Sequence, residues 1–152
     1  VPYFIASHPG STVREMIELA VFLKQRGYRP RQVQDFIPAP MDVATCMYYT
    51  GLDPMTMRPV DVARKARDRR VQRALMQFFK PENWFLVRKA LLDAGRKDLI
   101  GSGPLALIPE RPPPEAIEAR RRAAEETYVH AEAAGTKRTI GYRPGRKGSR
   151  RR

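Results

Sequence analysis

The chain opens with a short apolar run, Val1-Pro-Tyr-Phe-Ile-Ala-Ser7, followed by a turn-like His8-Pro-Gly-Ser-Thr12. Apolar residues then recur at helical spacing through Val13–Arg26, where Met16, Ile17, Leu19, Ala20, Phe22 and Leu23 share one broad face. Thr12 stands three residues before Glu15, the spacing of a capping box, and Gly27 marks the helix stop. Val33-Gln-Asp-Phe-Ile37 supplies a second strand-like run before Pro38. Residues 1–50 therefore predict a strand–helix–strand unit of parallel type. A lone unit of this kind leaves both strand edges unpaired and at least one sheet face open. It is expected to be the back end of a larger α/β protein, and to be aggregation-prone alone because unpaired edges template pairing.

Between Pro38 and Pro59 the pattern predicts ordered loop rather than linker, because Met41, Met47, Tyr48, Tyr49 and Leu52 are too apolar for free water contact. Val62–Phe79 returns to helical spacing, with Val71, Leu75, Phe78 and Phe79 in one stripe and six basic residues between Arg64 and Arg73 crowding the rest. Lys80-Pro-Glu-Asn83 breaks it, Trp84–Ala94 predicts a second helix capped by Asn83, and Gly95 ends it. Arg96–Gly101 is a short turn or helical piece that returns Leu99 and Ile100 to the core, and Leu105–Ile108 is a packed extended segment or a short strand. After the Pro109–Pro114 boundary, Glu115–Ala134 is helical by propensity but carries few large apolar anchors (Ile117, Tyr128, Val129). The expected organisation is 1–58, 59–110 as a helical module, 111–134 as a proline-rich boundary with a solvated helix, and 135–152 as a disordered basic tail.

Charge changes the picture. The net charge is +13 and the pI near 10.6, which favours a polyanionic partner. Residues 111–152 hold 12 Lys and Arg against 5 Asp and Glu, and residues 136–152 hold eight basic residues and no acid. The basicity is partly a tail property. Arg64, Arg67 and Arg70 on the helix, with Arg143, Arg146 and Lys147 in the tail, are the candidate contacts to RNA or the ribosome. A tail of this composition binds phosphates with little sequence preference and steep salt dependence.

Cys46 is the only cysteine, which rules out an internal disulfide and a cysteine metal cage. No stretch reaches the length of apolar sequence that spans a bilayer, and Val1-Pro2 lacks the layout of a signal peptide, so no membrane association and a cytoplasmic location are expected. Pro9-Gly10-Ser11-Thr12 lacks the spacing of a phosphate-binding loop and reads as turn and cap. Tyr48-Tyr49 reads as a core plug, or else as a stacking platform for a base.

Several runs together resemble one family. Val1–Thr12, Gln32-Val-Gln-Asp-Phe-Ile-Pro-Ala-Pro-Met41 and Thr45-Cys-Met-Tyr-Tyr-Thr-Gly51 are similar to segments of the YgiQ-type radical S-adenosylmethionine proteins. Gln72-Arg-Ala-Leu75, Pro81–Arg88 and Arg96–Gly101 resemble that family's C-terminal module, in the same order. The resemblance implies an α/β fragment, a βαβ piece of a partial (β/α) barrel followed by a small helical module. In the full-length protein it implies a [4Fe-4S] cluster held by three cysteines of a C-x3-C-x2-C loop, together with S-adenosylmethionine. Those cysteines would lie upstream of Val1, in a missing N-terminal part of the same polypeptide, and neither group is expected to bind this chain alone. By position, Ile5 and Ser7 would line the cofactor pocket, with His8 and Gly10 shaping the loop above it. The substrate is not implied. A basic RNA- or ribosome-binding protein is the alternative reading.

Overall fold

The computed structural model describes residues 3–133. The protein is a mixed α/β fold, mostly helical, with one small parallel sheet. Strand β1 (Ile5–Ala6) leads through helix α1 (Val13–Gln25) to strand β2 (Gln34–Asp35). The strands run parallel with Ile5 opposite Gln34 and Ala6 opposite Asp35, and the Phe36 amide extends the ladder to the Ala6 carbonyl at 2.8 Å. The expected strand–helix–strand unit is present, in a shorter form than the apolar runs suggest. Val1 and Pro2 lie outside the described residues.

Helix α1 begins and ends as its sequence dictates. The Thr12 hydroxyl accepts from the Glu15 amide while the Glu15 carboxylate accepts from the Thr12 amide, so two otherwise orphaned donors are satisfied reciprocally. At the other end the Gly27 amide donates to Lys24 and the Tyr28 amide to Leu23, a closure that needs the left-handed backbone glycine adopts at φ +69°. Gly95 closes a later helix in the same way, with Gly95 donating to Leu92 and Arg96 to Leu91.

Residues 43–50 form helix α2 (Val43–Thr50), where the sequence pattern suggests a loop. Its β-branched and aromatic residues disfavour helix, but both ends are capped. Asp42 accepts from the Ala44 amide at 3.2 Å, and Gly51 takes the left-handed conformation after the last turn. Helix α3 (Ala66–Met76) starts four residues later than the apolar pattern suggests, because Val62–Lys65 is held in an irregular, non-helical path. A 3-10 turn (Pro81–Asn83) leads to α4 (Trp84–Asp93), and Asn83 donates to the Gln77 carbonyl instead of capping α4 with its side chain. A second 3-10 turn (Lys97–Leu99) returns Leu99 to full burial, as expected, and Ile100 bridges Ile108 in parallel. Helix α5 (Pro114–Ala133) is anchored by Ala116, 1 % exposed, and not by Ile117, which is 42 % exposed. The tail beyond residue 133 lies outside the described residues.

One core runs through these elements. Met16, Ile17 and Leu23 of α1 join Leu75 and Met76 of α3, Trp84, Val87 and Leu91 of α4, then Leu99 and Ile108. Helix α3 lies against α1 and against both strands. The opposite side of the sheet is open. Ile5, whose register partner is Gln34, is 40 % exposed, and Tyr3 is 69 % exposed. Met41, Tyr49, Met55 and Met57 are also exposed, contrary to the expectation that this segment buries its apolar side chains. Among the described residues no helix is long and apolar enough to cross a membrane.

Thr12→Ala removes one half of the capping box and is expected to lower stability by about 1 kcal/mol in urea unfolding. The Thr12 hydroxyl and amide depress the Glu15 pKa below its ordinary value. A depressed carboxylate stabilises the fold above its unfolded pKa and loses that contribution as pH falls through the folded one. The cost of Thr12→Ala is therefore expected to shrink in acid and to be full at neutral pH.

Candidate functional site

The C-terminal end of β1 gathers the unusual backbone and side-chain features. Ser7 follows the strand with φ +63°, a left-handed conformation that costs a non-glycine residue on the order of 1 kcal/mol. It is 2 % exposed, and its hydroxyl finds no hydrogen-bond partner among the described residues. Its amide is satisfied, donating to Gln72 Oε1 of α3 at 2.8 Å. The same Gln72 donates through Nε2 to the Ser11 carbonyl at 2.7 Å. One buried amide side chain thus clamps both ends of the loop Ser7–Ser11.

Within that loop His8 is exposed while Pro9 is buried. His8 Nδ1 lies 2.9 Å from the Pro9 carbonyl, which can only accept, so the proton sits on Nδ1 and the Nε2 lone pair is left free. The ring meets Phe36 edge-on at 5.2 Å between centroids, Phe36 meets Tyr48 at 5.8 Å, and Tyr48 meets Tyr49 at 5.3 Å. An aromatic row therefore joins the β1 loop to the strand β2 exit and to α2. Gly10, at φ +91°, donates to the Asp61 carbonyl at 2.8 Å and fixes the loop against the segment leading to α3. The structure thus brings Ser7, His8 and Gly10 to one loop, with Ile5 at its base.

The basic candidates are dispersed. Arg64 precedes α3 and donates to the Tyr48 and Tyr49 carbonyls at 3.0 and 2.9 Å, closing the end of α2 from within the fold. Arg73 is ion-paired to Asp35 of β2. Arg67 and Arg70 are exposed. Arg143, Arg146 and Lys147 lie outside the described residues. Cys46 is exposed, and among the described residues no group of three His, Cys, Asp or Glu side chains could hold a metal.

Sequence reasoning missed Gln72, Phe36 and the second buried glutamine, Gln77, which donates to the Arg31 carbonyl at 2.8 Å. Gln72 carried one signal: it adjoins the α3 apolar stripe between Val71 and Leu75, where a polar residue must find partners if buried.

Comparison with known proteins follows the same boundaries. A family model described as a domain of unknown function (DUF3362) matches residues 31–148. A UPF0313 protein of Clostridium botulinum is 51 % identical over 109 residues, covering 72 % of this chain and 17 % of that protein. UPF0313 proteins of Methanocella arvoryzae (51 % over 113 residues, 74 % of this chain, 19 % of that protein) and Clostridium perfringens (48 % over 111 residues, 73 % and 17 %) are similar to it in the same way. The chain spans less than a fifth of the length of these relatives. No solved structure gives a significant match.

Gln72→Ala leaves the buried Ser7 amide and the Ser11 carbonyl without their partner. It is expected to cost about 1–3 kcal/mol for each group that water cannot reach. Gln32→Ala, at an exposed glutamine, is expected to change stability by less than about 0.5 kcal/mol in the same urea titration.

Proposed function

This chain belongs to the YgiQ-type (UPF0313) family, and from that membership we propose that it is a segment of a longer radical S-adenosylmethionine enzyme, contributing a late strand pair of the barrel and the helical module behind it. The observation that carries this reading is the Ser7 hydroxyl. It is buried, unpartnered among the described residues, and sits at the C-terminal end of a parallel strand, where barrels of this architecture build their sites. Glycine would take φ +63° without strain. The serine adds a hydroxyl, and that group gains only if a partner comes from outside the described residues.

A nucleoside and amino-acid cofactor fits such a donor and acceptor. Ile5 offers apolar surface at the base of the same loop, His8 offers a free Nε2, and Gly10 holds the loop to residue 61. When bound with its cluster, S-adenosylmethionine supplies a 5′-deoxyadenosyl radical that removes hydrogen from a substrate. In this reading Ser7 positions the cofactor, the Gln72 clamp keeps Ser7 in place, and the aromatic row walls the loop on the α2 side. The iron–sulfur cluster does not fit the residues present, since Cys46 stands alone and exposed. Its ligands belong to the rest of the longer polypeptide. The open face of the β1–β2 sheet supports the same reading, because that polypeptide supplies a cover for Ile5 and Tyr3.

The full-length protein, reconstituted anaerobically with iron and sulfide and given a strong reductant, is expected to release 5′-deoxyadenosine from S-adenosylmethionine. No release from a protein that carries a full cluster would overturn the proposal. Ser7→Ala in that protein is expected to weaken S-adenosylmethionine binding about three- to tenfold, the net worth of one hydrogen bond.

A further inference from the structure

On the side of the molecule formed by α4 and α5, a cleft of about 540 Å³ opens between α4, residues 110–112 and α5. Four cations line it: Arg88, Lys89, Arg111 and Arg120. All four are exposed, and none forms an ion pair or a hydrogen bond among the described residues. Two of them are nevertheless held in place. The Arg120 guanidinium lies 4.5 Å from the Phe85 ring centroid, and that of Arg88 lies 5.7 Å from the Trp84 ring. Trp84 is itself fixed, buried and donating its indole N–H to the Pro109 carbonyl at 3.0 Å. A guanidinium laid on an aromatic ring keeps its N–H groups free around the edge, and less freedom is lost when they meet a phosphate.

The cleft does not end at Lys89. A neighbouring hollow of about 320 Å³ shares Lys89 and Asp93 with it and adds Arg14 and Arg67. The two hollows carry six cations against three acids, Asp68, Asp93 and Glu110. The segment after α5 continues the charge in sequence, with eight basic residues and no acid in 136–152.

We infer that this cleft is a docking site for single-stranded RNA. Phosphates meet the free N–H groups of Arg88, Arg111 and Lys89, and a base stacks where Arg120 and the half-buried Phe85 ring form a flat surface. A concave, narrow cleft excludes a duplex. Ring-held guanidiniums in a hollow suit a flexible strand better than a planar lipid surface. The site differs from the contact expected from sequence: Arg64 and Arg73 are engaged inside the fold, and of the helix cations Arg67 alone reaches this surface.

The test measures binding of a fluorescent oligouridylate to the full-length protein across a salt series, without S-adenosylmethionine, so its outcome is independent of the enzyme reading. Arg88→Ala/Arg120→Ala is expected to weaken binding about tenfold and to flatten the salt dependence by about 1.4 in log–log slope, two phosphate contacts on a single strand. Arg29→Ala/Arg31→Ala, removing two exposed arginines elsewhere, is expected to leave both unchanged. Arg88→Lys/Arg120→Lys keeps the charge and is expected to keep the slope, and the Arg88→Ala/Arg120→Ala effect is expected to persist when residues 136–152 are deleted. The inference fails if the Arg29/Arg31 pair weakens binding equally, if the lysine pair loses the slope as the alanine pair does, or if the alanine effect vanishes with the tail. It fails also if a duplex, a polyglutamate peptide or anionic vesicles displace the strand as well as unlabelled oligouridylate does.

Discussion

Helix α3 holds the strand–helix–strand unit together, and it does so with polar side chains at three places. Gln72 clamps the loop that leaves β1, Arg73 pairs with Asp35 of β2, and Gln77 holds the Pro30–Arg31 carbonyls on the approach to β2. Apolar burial between α1 and α3 supplies the non-directional part of the attachment. The amides supply the direction. A glutamine offers one acceptor and two donors, so a buried one can bridge two backbone groups that have no partner in helix or sheet. Register and loop shape at the end of β1 follow from that bridge.

The same attachment explains why one side of the unit is finished and the other is not. Ala6 and Asp35 face α3, while their neighbours Ile5 and Gln34 are left to the other side. Ten of the twelve exposed large apolar side chains among the described residues, from Tyr3 to Met57, precede Arg58. They do not hang from loose chain. Thr45 both donates to and accepts from Ala39, bracing the turn that presents Met41 at φ +63°. Asp53 accepts from the Met55 amide and the Thr56 hydroxyl, bracing the loop that presents Met55 and Met57, and those bonds hold its carboxyl below the usual range. Braced apolar side chains facing water are what an interface looks like before its partner is added. The module of α4, the second 3-10 turn and the start of α5 closes on its own core instead.

Much of this was legible in the residues. The α1 boundaries followed from Thr12, Glu15 and Gly27, the parallel strand pair from the two apolar runs flanking it, and the return of Leu99 to the core from its spacing after Gly95. Family membership followed from several matched runs in order. What escaped was set by tertiary partners. Helix α2 is poor in helix formers, and its end is closed by Arg64 from sixteen residues away, a contact no local pattern encodes. Arg64 and Arg73 look identical to Arg67 and Arg70 in sequence, and only the fold separates those that serve it from those left to solvent. Ala116 anchors α5 where the larger Ile117 was the natural choice, because the close approach to the Pro81–Asn83 turn leaves room for a methyl group alone. Gln72 was invisible as a clamp, since a polar residue beside an apolar stripe is ordinarily its solvated edge.

The central claim is that the methionine-bearing face of the first 57 residues is covered by the rest of a longer polypeptide. Methionine oxidation by dilute peroxide, read residue by residue by mass spectrometry, tests it directly. Met41, Met55 and Met57 are expected to oxidise rapidly in this chain alone and to be protected in the full-length protein, while Met16 and Met76 are slow in both. Equal, rapid oxidation of Met41, Met55 and Met57 in the two proteins would contradict it.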